Sequence, residues 1–279
     1  MNKPKYHVAS FSGGKDSTAM VLRMIELGES LDEVMFCNTS MEFPAMLRHV
    51  EKVKQVVKAA GIKFTELRAE HDFEYYLAAY EVENRKPGNE FYGKPGYGWP
   101  GVWSRWCTKT LIVSVMDAHL KELREKYEVI QYIGIAADED YRMERKSNQS
   151  PDMRHPLRTW GWAEADAMAY CRAKGYDWEG LYDIFKRVSC WCCPLQGYGE
   201  LRNLRRHFPE LWVRLLDLDS RQIKSFNHGY SVRDFDRRFE LEDKLTESGH
   251  SIKSRQFFTD LKRVLAGVAT TEEILQERG

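Results

Sequence analysis

The stretch Tyr6-His-Val-Ala-Ser-Phe-Ser-Gly-Gly-Lys-Asp-Ser17 decides the fold. Tyr6 to Phe11 is a short apolar run of strand length. From Ser17 to Leu27 the apolar residues Ala19, Met20, Val21, Met24, Ile25 and Leu27 recur at helical spacing, and Gly28 supplies a stop. Ser12-Gly-Gly-Lys-Asp-Ser17 joins the strand to the helix. Such a junction suits an anion, because free backbone amides and the positive end of a helix converge on one point. Gly13 and Gly14 let the backbone come close to a ligand. Ser12 and Ser17 offer hydroxyls, and Lys15 offers a cation. The spacing is not that of the Walker loop, which needs Gly, four residues, then Gly-Lys-Ser/Thr. A ligand-free strand-to-helix turn is the plainer alternative.

The alternation continues outward. Glu33 to Cys37 reads as a second strand, Pro44 to Ala60 as a second helix closed by Gly61, and Ile62 to Leu67 as a third strand. A third helix is predicted over Asp72 to Glu83, with Asp72 as its cap. Strands and helices in strict alternation imply right-handed crossovers, so the expected fold class is α/β with a doubly wound parallel sheet. Asn84 to Arg105 breaks the rhythm. It mixes several glycines and prolines with Phe91, Tyr92, Tyr97, Trp99 and Trp103, which predicts a long loop that packs on something. Cys107 to Tyr127 then reads as a helix and Val129 to Ile135 as a further strand. Beyond it the pattern is helical, over Ala163 to Lys174, Glu179 to Phe185, Pro209 to Ser225, Val232 to Glu247 and Lys253 to Val268. The expected organisation is a nucleotide-binding α/β core over residues 1–160. A helical C-terminal region over 161–279 would pack on it and carry the cysteine cluster.

The bulk composition narrows the classes. With 279 residues the chain suffices for one large α/β domain, or one with an appendage. Lys plus Arg and Asp plus Glu number 42 each, so net charge selects neither for nor against nucleic acid, and only a local patch could. No apolar run approaches the ~20 residues a membrane span needs, and the first residues lack a signal-peptide core. The expectation is a cytoplasmic protein without a membrane partner, whose six cysteines stay reduced. Three of them crowd into Cys190-Trp-Cys-Cys193 followed by Pro194, which calls for a metal or redox explanation.

Phe11 to Ser17 resembles the PP-loop of the adenine nucleotide α-hydrolase superfamily. Phe36-Cys-Asn-Thr-Ser-Met-Glu-Phe-Pro44, Arg105-Trp-Cys-Thr108, Gly134-Ile-Ala-Ala-Asp-Glu-Asp-Tyr-Arg142 with Arg145, and His155-Pro-Leu157 with Trp160 narrow the resemblance. They are similar to elements of the phosphoadenosine phosphosulfate reductase-like family, on the branch that holds DNA phosphorothioation sulfurtransferases. The resemblance covers residues 8 to about 195. It implies that the loop, with Gly134, holds the pyrophosphate part of ATP. Thiolating relatives combine the Arg-Trp-Cys-Thr cysteine with a later Cys-x-x-Cys, and several hold a [4Fe–4S] cluster. The ligand set so implied is Cys107, Cys190 and Cys193, with Cys192 as a fourth ligand or a redox partner. The spacing alone leaves Zn²⁺ or a metal-free turn open. Cys37, on an apolar strand, and Cys171, on a helix, read as core thiols.

Two departures weigh against sulfonucleotide reduction itself. The phosphate loop is intact, whereas reductases of this family carry a degraded one, and no cysteine follows Cys193.

Other groups are individually less specific. Asn38 and Thr39 follow a parallel strand, where ligands bind, and are candidates for adenosine. Glu42 reads equally as a ligand contact or as a charge at a helix start. Asp16, Asp138 and Glu139 are candidate Mg²⁺ ligands, with plain helix-start or loop charges as the alternative. Arg142 and Arg145 could neutralise phosphate or leaving pyrophosphate, or belong to an ordinary polar surface. Arg202, Arg205, Arg206 and His207 form a basic run on a helix. With Trp99, Trp103, Tyr97 and Trp191 nearby it would suit a splayed nucleic acid, though a solvated helix face is the commoner meaning.

The function so expected is an ATP pyrophosphatase that adenylates an acceptor for sulfur transfer. Lys15, Asp16, Arg142 and Arg145 would serve the chemistry, with ATP and Mg²⁺ as ligands. A nucleic acid or a small molecule would be the acceptor, and a sulfur-donor protein could be a partner. A reductase and a non-catalytic nucleotide sensor are the alternatives. The residues do not fix the oligomeric state, and a homodimer stays open.

Overall fold

β1 (Lys5–Phe11) is followed by α1 (Lys15–Leu27), β2 (Glu33–Cys37), α2 (Pro44–Ala59) and β3 (Lys63–Leu67), close to the bounds the periodicity predicts. This computed structural model describes residues 3–83, 85–222, 224–227 and 229–279. Asn84, where the aromatic loop is expected to begin, and Ile223, inside the expected helix Pro209 to Ser225, lie outside the described residues. α1 ends where Gly28 turns left-handed at φ +65°, and its N–H returns to the carbonyl of Ile25 at 3.1 Å. That is the helix stop read from the sequence.

The sheet has five parallel strands in the order β3-β2-β1-β4-β5, with β4 at Glu128–Ile133 and β5 at Met153–Arg154. The chain winds from β1 through β2 to β3, then crosses back to lay β4 on the other side of β1. The reversal makes a crevice outside the carboxyl ends of β1 and β4, where open α/β sheets place ligands. The phosphate loop leaves β1 at that point. Helices cover both faces of the sheet. Val8, Met35 and Val129 pack with Leu120 of the helix Ser114–Lys126, while the buried stripes of α1 (Val21, Met24) and α2 (Val50, Val53) supply further core. Glu33 of β2 is fully buried, yet its carboxylate is satisfied. Tyr6 Oη donates at 3.1 Å, His119 Nε2 lies at 2.8 Å, and Thr65 Oγ1 and Lys63 also engage it.

Several elements differ from expectation. The third helix is shorter, at Phe73–Ala78, although Asp72 does accept the N–H of Tyr75 at 2.8 Å. The helix expected from Cys107 begins at Trp106 and passes through a π turn over Lys109–Val113 before its α-helical body. β5 has only two residues and gave no periodic signal. The basic run lies on a helix as expected, Tyr198–His207, and the helix Thr271–Arg278 is additional to the expected set.

The chain divides into two units, residues 1–75 with 104–193 and residues 76–103 with 194–279. The boundary therefore falls after Cys193, not at 160. The physical reason is that the segment beyond 160 is bonded to the sheet unit. The Cys171 thiol donates to the Lys15 carbonyl at 3.5 Å. Trp191 N–H donates to the Met41 carbonyl at 3.1 Å, and Glu42 and Cys190 form a β-bridge. The second unit has its own core of Leu241, Leu245, Phe257, Leu261, Val264 and Ile274. Within it the aromatic loop is ordered by Arg85, which donates to the carbonyls of Phe91, Lys94 and Gly96. Trp99 anchors it further, its Nε1 donating to half-buried Asp219 at 2.7 Å. Among the described residues no helix is long and apolar enough to cross a membrane.

Candidate active site

The phosphate loop is built from the backbone upward. Gly13 sits at φ +78°, and a Cβ there would come within 2.6 Å of Met46 Sδ. Only glycine fits that conformation and that space without strain. Gly134, leaving β4, is a glycine for a different reason. A Cβ there would stand 2.9 Å from the backbone nitrogen of Ser17, so the two segments cross in near contact. Ser12 and Ser17 face one another, with their hydroxyls 3.1 Å apart, and Ser17 Oγ also accepts the Ser12 N–H at 3.2 Å.

The loop is held from behind by a segment that the sequence did not mark. Trp178 Nε1 donates to the Gly13 carbonyl at 2.7 Å, and Tyr182 Oη accepts the Lys15 N–H at 3.0 Å. Trp178 adopts φ +51° to do this and Glu179 follows at φ +54°. Such values are disfavoured for residues with a Cβ and persist only where surroundings fix them. The Trp178 ring stacks on His49 at 4.5 Å, and His49 Nε2 lies 2.9 Å from Thr18 Oγ1 at the start of α1. Burial, with Lys52 adding to it, lowers the His49 pKa to about 4.

Lys15 points into an acidic group. Its Nζ lies 3.0 Å from Asp16 and 3.4 Å from Glu164. Burial opposes its charge, but the two carboxylates outweigh that and its pKa is raised. Asp16, Glu139 and Glu164 bring carboxylate oxygens within 4.8 Å of one another. Burial raises the Asp16 pKa against the pull of Lys15, and Asp16 Oδ1 is buried with no hydrogen-bond partner among the described residues. Of the expected Mg²⁺ candidates, Asp16 and Glu139 thus come together. Asp138 does not join them and instead accepts the Glu164 N–H at 3.0 Å, at the start of the helix Glu164–Ala173. Glu164 was not anticipated, because a single acid at a helix start has no distinguishing pattern.

A cavity of about 370 Å³ opens beside the loop. Ser12, Ser17 and Gly134 line it at the loop, with Phe11, Met35 and Ile133 as apolar wall; Thr39, Glu42, Arg142, Arg187 and Cys190 line it elsewhere. Arg142 is steadied by Glu139, whose two oxygens lie 3.1 and 2.8 Å from its Nη1. Arg145 stands over the Tyr141 ring at 6.0 Å and is not part of the wall. Asn38 is spent on structure. Its amide donates to Glu66 at 2.8 Å and accepts from Ser40, itself at φ +65°. Thr39 Oγ1 donates to Glu42 Oε1 at 2.6 Å and lies 3.5 Å from Cys190 Sγ. Glu42 Oε2 is buried without a partner among the described residues.

Cys107 and the Cys190–Cys193 segment, far apart in sequence, lie close enough for their thiols to influence one another. Burial, and then the charge of Glu42, push the Cys190 thiol well up, and Cys193 and Cys107 add to the effect. Cys192 is raised by burial and then by Cys190, Cys193 and Cys107. The four thiols are therefore within electrostatic reach of one another, and a bound cation would reverse what raises them. Buried thiols from three positions suit a thiophilic metal or an iron–sulfur group in chemistry and number. Cys171 is a core thiol pushed up to about 12 by burial. Cys37 is likewise raised to about 12, but it also borders the cavity.

Three arginines of the basic run are ion-paired within their own unit. Arg202 is bound by Glu242, Arg205 by Asp236 at 2.8 Å and Asp243 at 2.9 Å, and Arg206 by Asp243 at 3.0 Å, all from the helix Val232–Glu247.

Comparison with known proteins agrees with this geometry. The phosphoadenosine phosphosulfate reductase domain family matches residues 6–196. Two uncharacterised proteins of Methanocaldococcus jannaschii are similar. MJ0066 is 28% identical over 217 residues, covering 74% of this chain and 40% of the relative. MJ0973 is 24% identical over 253 residues, covering 88% of this chain and 55% of the relative. The chain thus spans about half the length of these relatives. Among solved structures, the U34-tRNA thiolase NcsA from Methanococcus maripaludis with its [4Fe-4S] cluster is similar at 15% identity and a TM-score of 0.36. That alignment covers 86% of this chain and 72% of that one.

Proposed function

This chain belongs to the phosphoadenosine phosphosulfate reductase domain family, and from that premise we propose that it is an ATP-dependent enzyme of sulfur chemistry. ATP is split between its α and β phosphates, an acceptor is adenylated, and sulfur displaces AMP. The observation that carries this reading is the single cavity that has the Ser12–Ser17 loop on one part of its wall and Cys190 on another. A nucleotide held by the loop and a sulfur-bearing site then face the same space.

The residues take these parts. Ser12, Gly13, Gly14, Ser17 and Gly134 cradle the β and γ phosphates. Lys15 exchanges its carboxylate partners for phosphate, and that exchange frees Asp16 and Glu164, which with Glu139 beside them would supply hard oxygen ligands for the Mg²⁺ that accompanies ATP. Arg142, fixed by Glu139, neutralises charge on the departing pyrophosphate. Thr39 borders the nucleoside. Cys107, Cys190 and Cys193 hold a [4Fe–4S] cluster, which when bound supplies an open iron site for sulfur. Cys192 serves as a fourth ligand or as a redox partner, and Zn²⁺ on the same thiols is the alternative occupant. Nucleic acid remains the proposed acceptor, though not through Arg202, Arg205 or Arg206.

The deciding experiment is product analysis of radiolabelled ATP with protein purified without oxygen. AMP and pyrophosphate are expected. ADP as the main product would refute the reading of the loop.

A further inference from the structure

We propose that Arg187 is the residue that binds the α-phosphate, the one phosphate that stays behind when ATP is cleaved. The inference rests on the reading of the cavity as an ATP site. If the loop holds the leaving pyrophosphate, the α-phosphate lies outside the loop, in the remainder of the cavity. That part needs its own positive charge, because the bond breaks between the two and the loop's charges are engaged by the departing pyrophosphate.

Two guanidinium groups line the cavity, those of Arg142 and Arg187. Arg142 is tied to both oxygens of Glu139, which itself lies within 4.8 Å of Asp16, so its charge is shared and its position is fixed near the carboxylate group at the loop. Arg187 differs on every count. It lies three residues before Cys190 in a segment whose residues Val188, Ser189 and Cys190 all border the cavity. Among the described residues its guanidinium is engaged in no ion pair or hydrogen bond, and it is exposed. An unpaired fork of five donors matches the geometry of a phosphate with two free oxygens. Its place beside Cys190 sets it where the adenylate and the sulfur must meet.

The test uses binding, not turnover. Calorimetry with the full chain compares AMP, adenosine and pyrophosphate as probes, for the wild type and for Arg187→Ala and Arg187→Lys. The wild type is expected to bind AMP more tightly than adenosine. Arg187→Ala should lose roughly ten- to hundredfold in AMP affinity, the worth of a charge-assisted contact, with adenosine and pyrophosphate unchanged. Arg187→Lys should fall between, since it keeps the charge and loses the fork. A preference for AMP that survives in Arg187→Ala would overturn the assignment, as would an equal loss for pyrophosphate. Failure of the wild type to bind any adenine nucleotide would instead remove the ATP reading itself, and this inference with it.

Discussion

The indole N–H of Trp178 donates to the carbonyl of Gly13 at 2.7 Å, so the phosphate loop hangs from a residue 165 positions away in sequence. A loop that must present its amides to a ligand needs its carbonyls occupied elsewhere. Trp178 meets that need at the Gly13 carbonyl, while Tyr182 Oη accepts the Lys15 N–H and fixes the start of the helix that follows. Trp178→Phe keeps the ring and removes the donor. It should cost about 0.5–1.5 kcal/mol, the net worth of one hydrogen bond, since Thr18 Oγ1 still donates to the Gly13 carbonyl at 3.4 Å; the loss is seen as a lower Tm and weaker ATP binding together. An unchanged Tm and affinity would show that the loop is shaped without this bond.

Lys15 is shared between Asp16, Glu164 and the proposed phosphate, and this makes two substitutions act in opposite directions. Lys15→Ala should weaken ATP binding roughly ten- to hundredfold through loss of a charge-assisted contact. Glu164→Gln removes a competitor for the ammonium and should strengthen binding in magnesium-free buffer. Titration of both variants with ATP in chelator checks the pair. A matching fall in both would mean that Glu164 organises the site and does not compete in it.

The cysteine assignments separate by metal content. Cys107→Ser, Cys190→Ser and Cys193→Ser should each lose most of the iron from anaerobically purified protein, while Cys171→Ser, buried beneath the loop, should keep it. Cys192→Ser distinguishes a fourth ligand, with iron lost, from a bystander, with iron kept. Stoichiometric zinc without iron would replace the cluster and leave the ATP site as described.

His49 gives the fold an acid sensitivity of calculable sign. Its pKa is lowered from 6.5 to about 4 in the folded chain, so between those values the unfolded chain binds the proton and the folded chain does not. The stability it contributes is complete above pH 6.5 and is lost as the pH falls toward 4. The shift corresponds to about 3 kcal/mol. Glu33, whose pKa is lowered chiefly by Thr65 and His119 against the opposing effect of burial, gives way only below the usual carboxylate range. Denaturant midpoints measured from pH 7.5 to 4.5 should fall for the wild type and stay flatter for His49→Gln. Parallel curves would assign the acid loss to other groups.

The sheet and the loop were legible because their signals are local. β1, the glycine pair, Lys15 and the α1 stripe fall within 23 consecutive residues, from Lys5 to Leu27. The partners of that loop were not. Trp178 takes a left-handed backbone without being glycine, and its bond to Gly13 has no sequence spacing to betray it. Arg187 and Glu164 gain meaning only from what they face. The basic run was open to two meanings, and its ion pairs fit the commoner one, a solvated helix face. Arg205 looks like half of a nucleic-acid patch until Asp236 and Asp243 are found beside it, and those acids lie a helix away in sequence. Asp138 likewise read as a metal ligand, but the helix start at Glu164 takes its oxygen first.

The cavity wall draws on segments from Ser10 to Cys190, and this sets an order of events during synthesis. At about 5–20 residues per second, the ribosome makes the loop tens of seconds before it makes Trp178, Arg187 and Cys190. Throughout that interval the nascent chain can gather neither a complete nucleotide cradle nor the full set of thiols. Nucleotide use and metal loading would therefore begin at the same late moment, which protects the unfinished chain from idle ATP hydrolysis and from capturing the wrong ion.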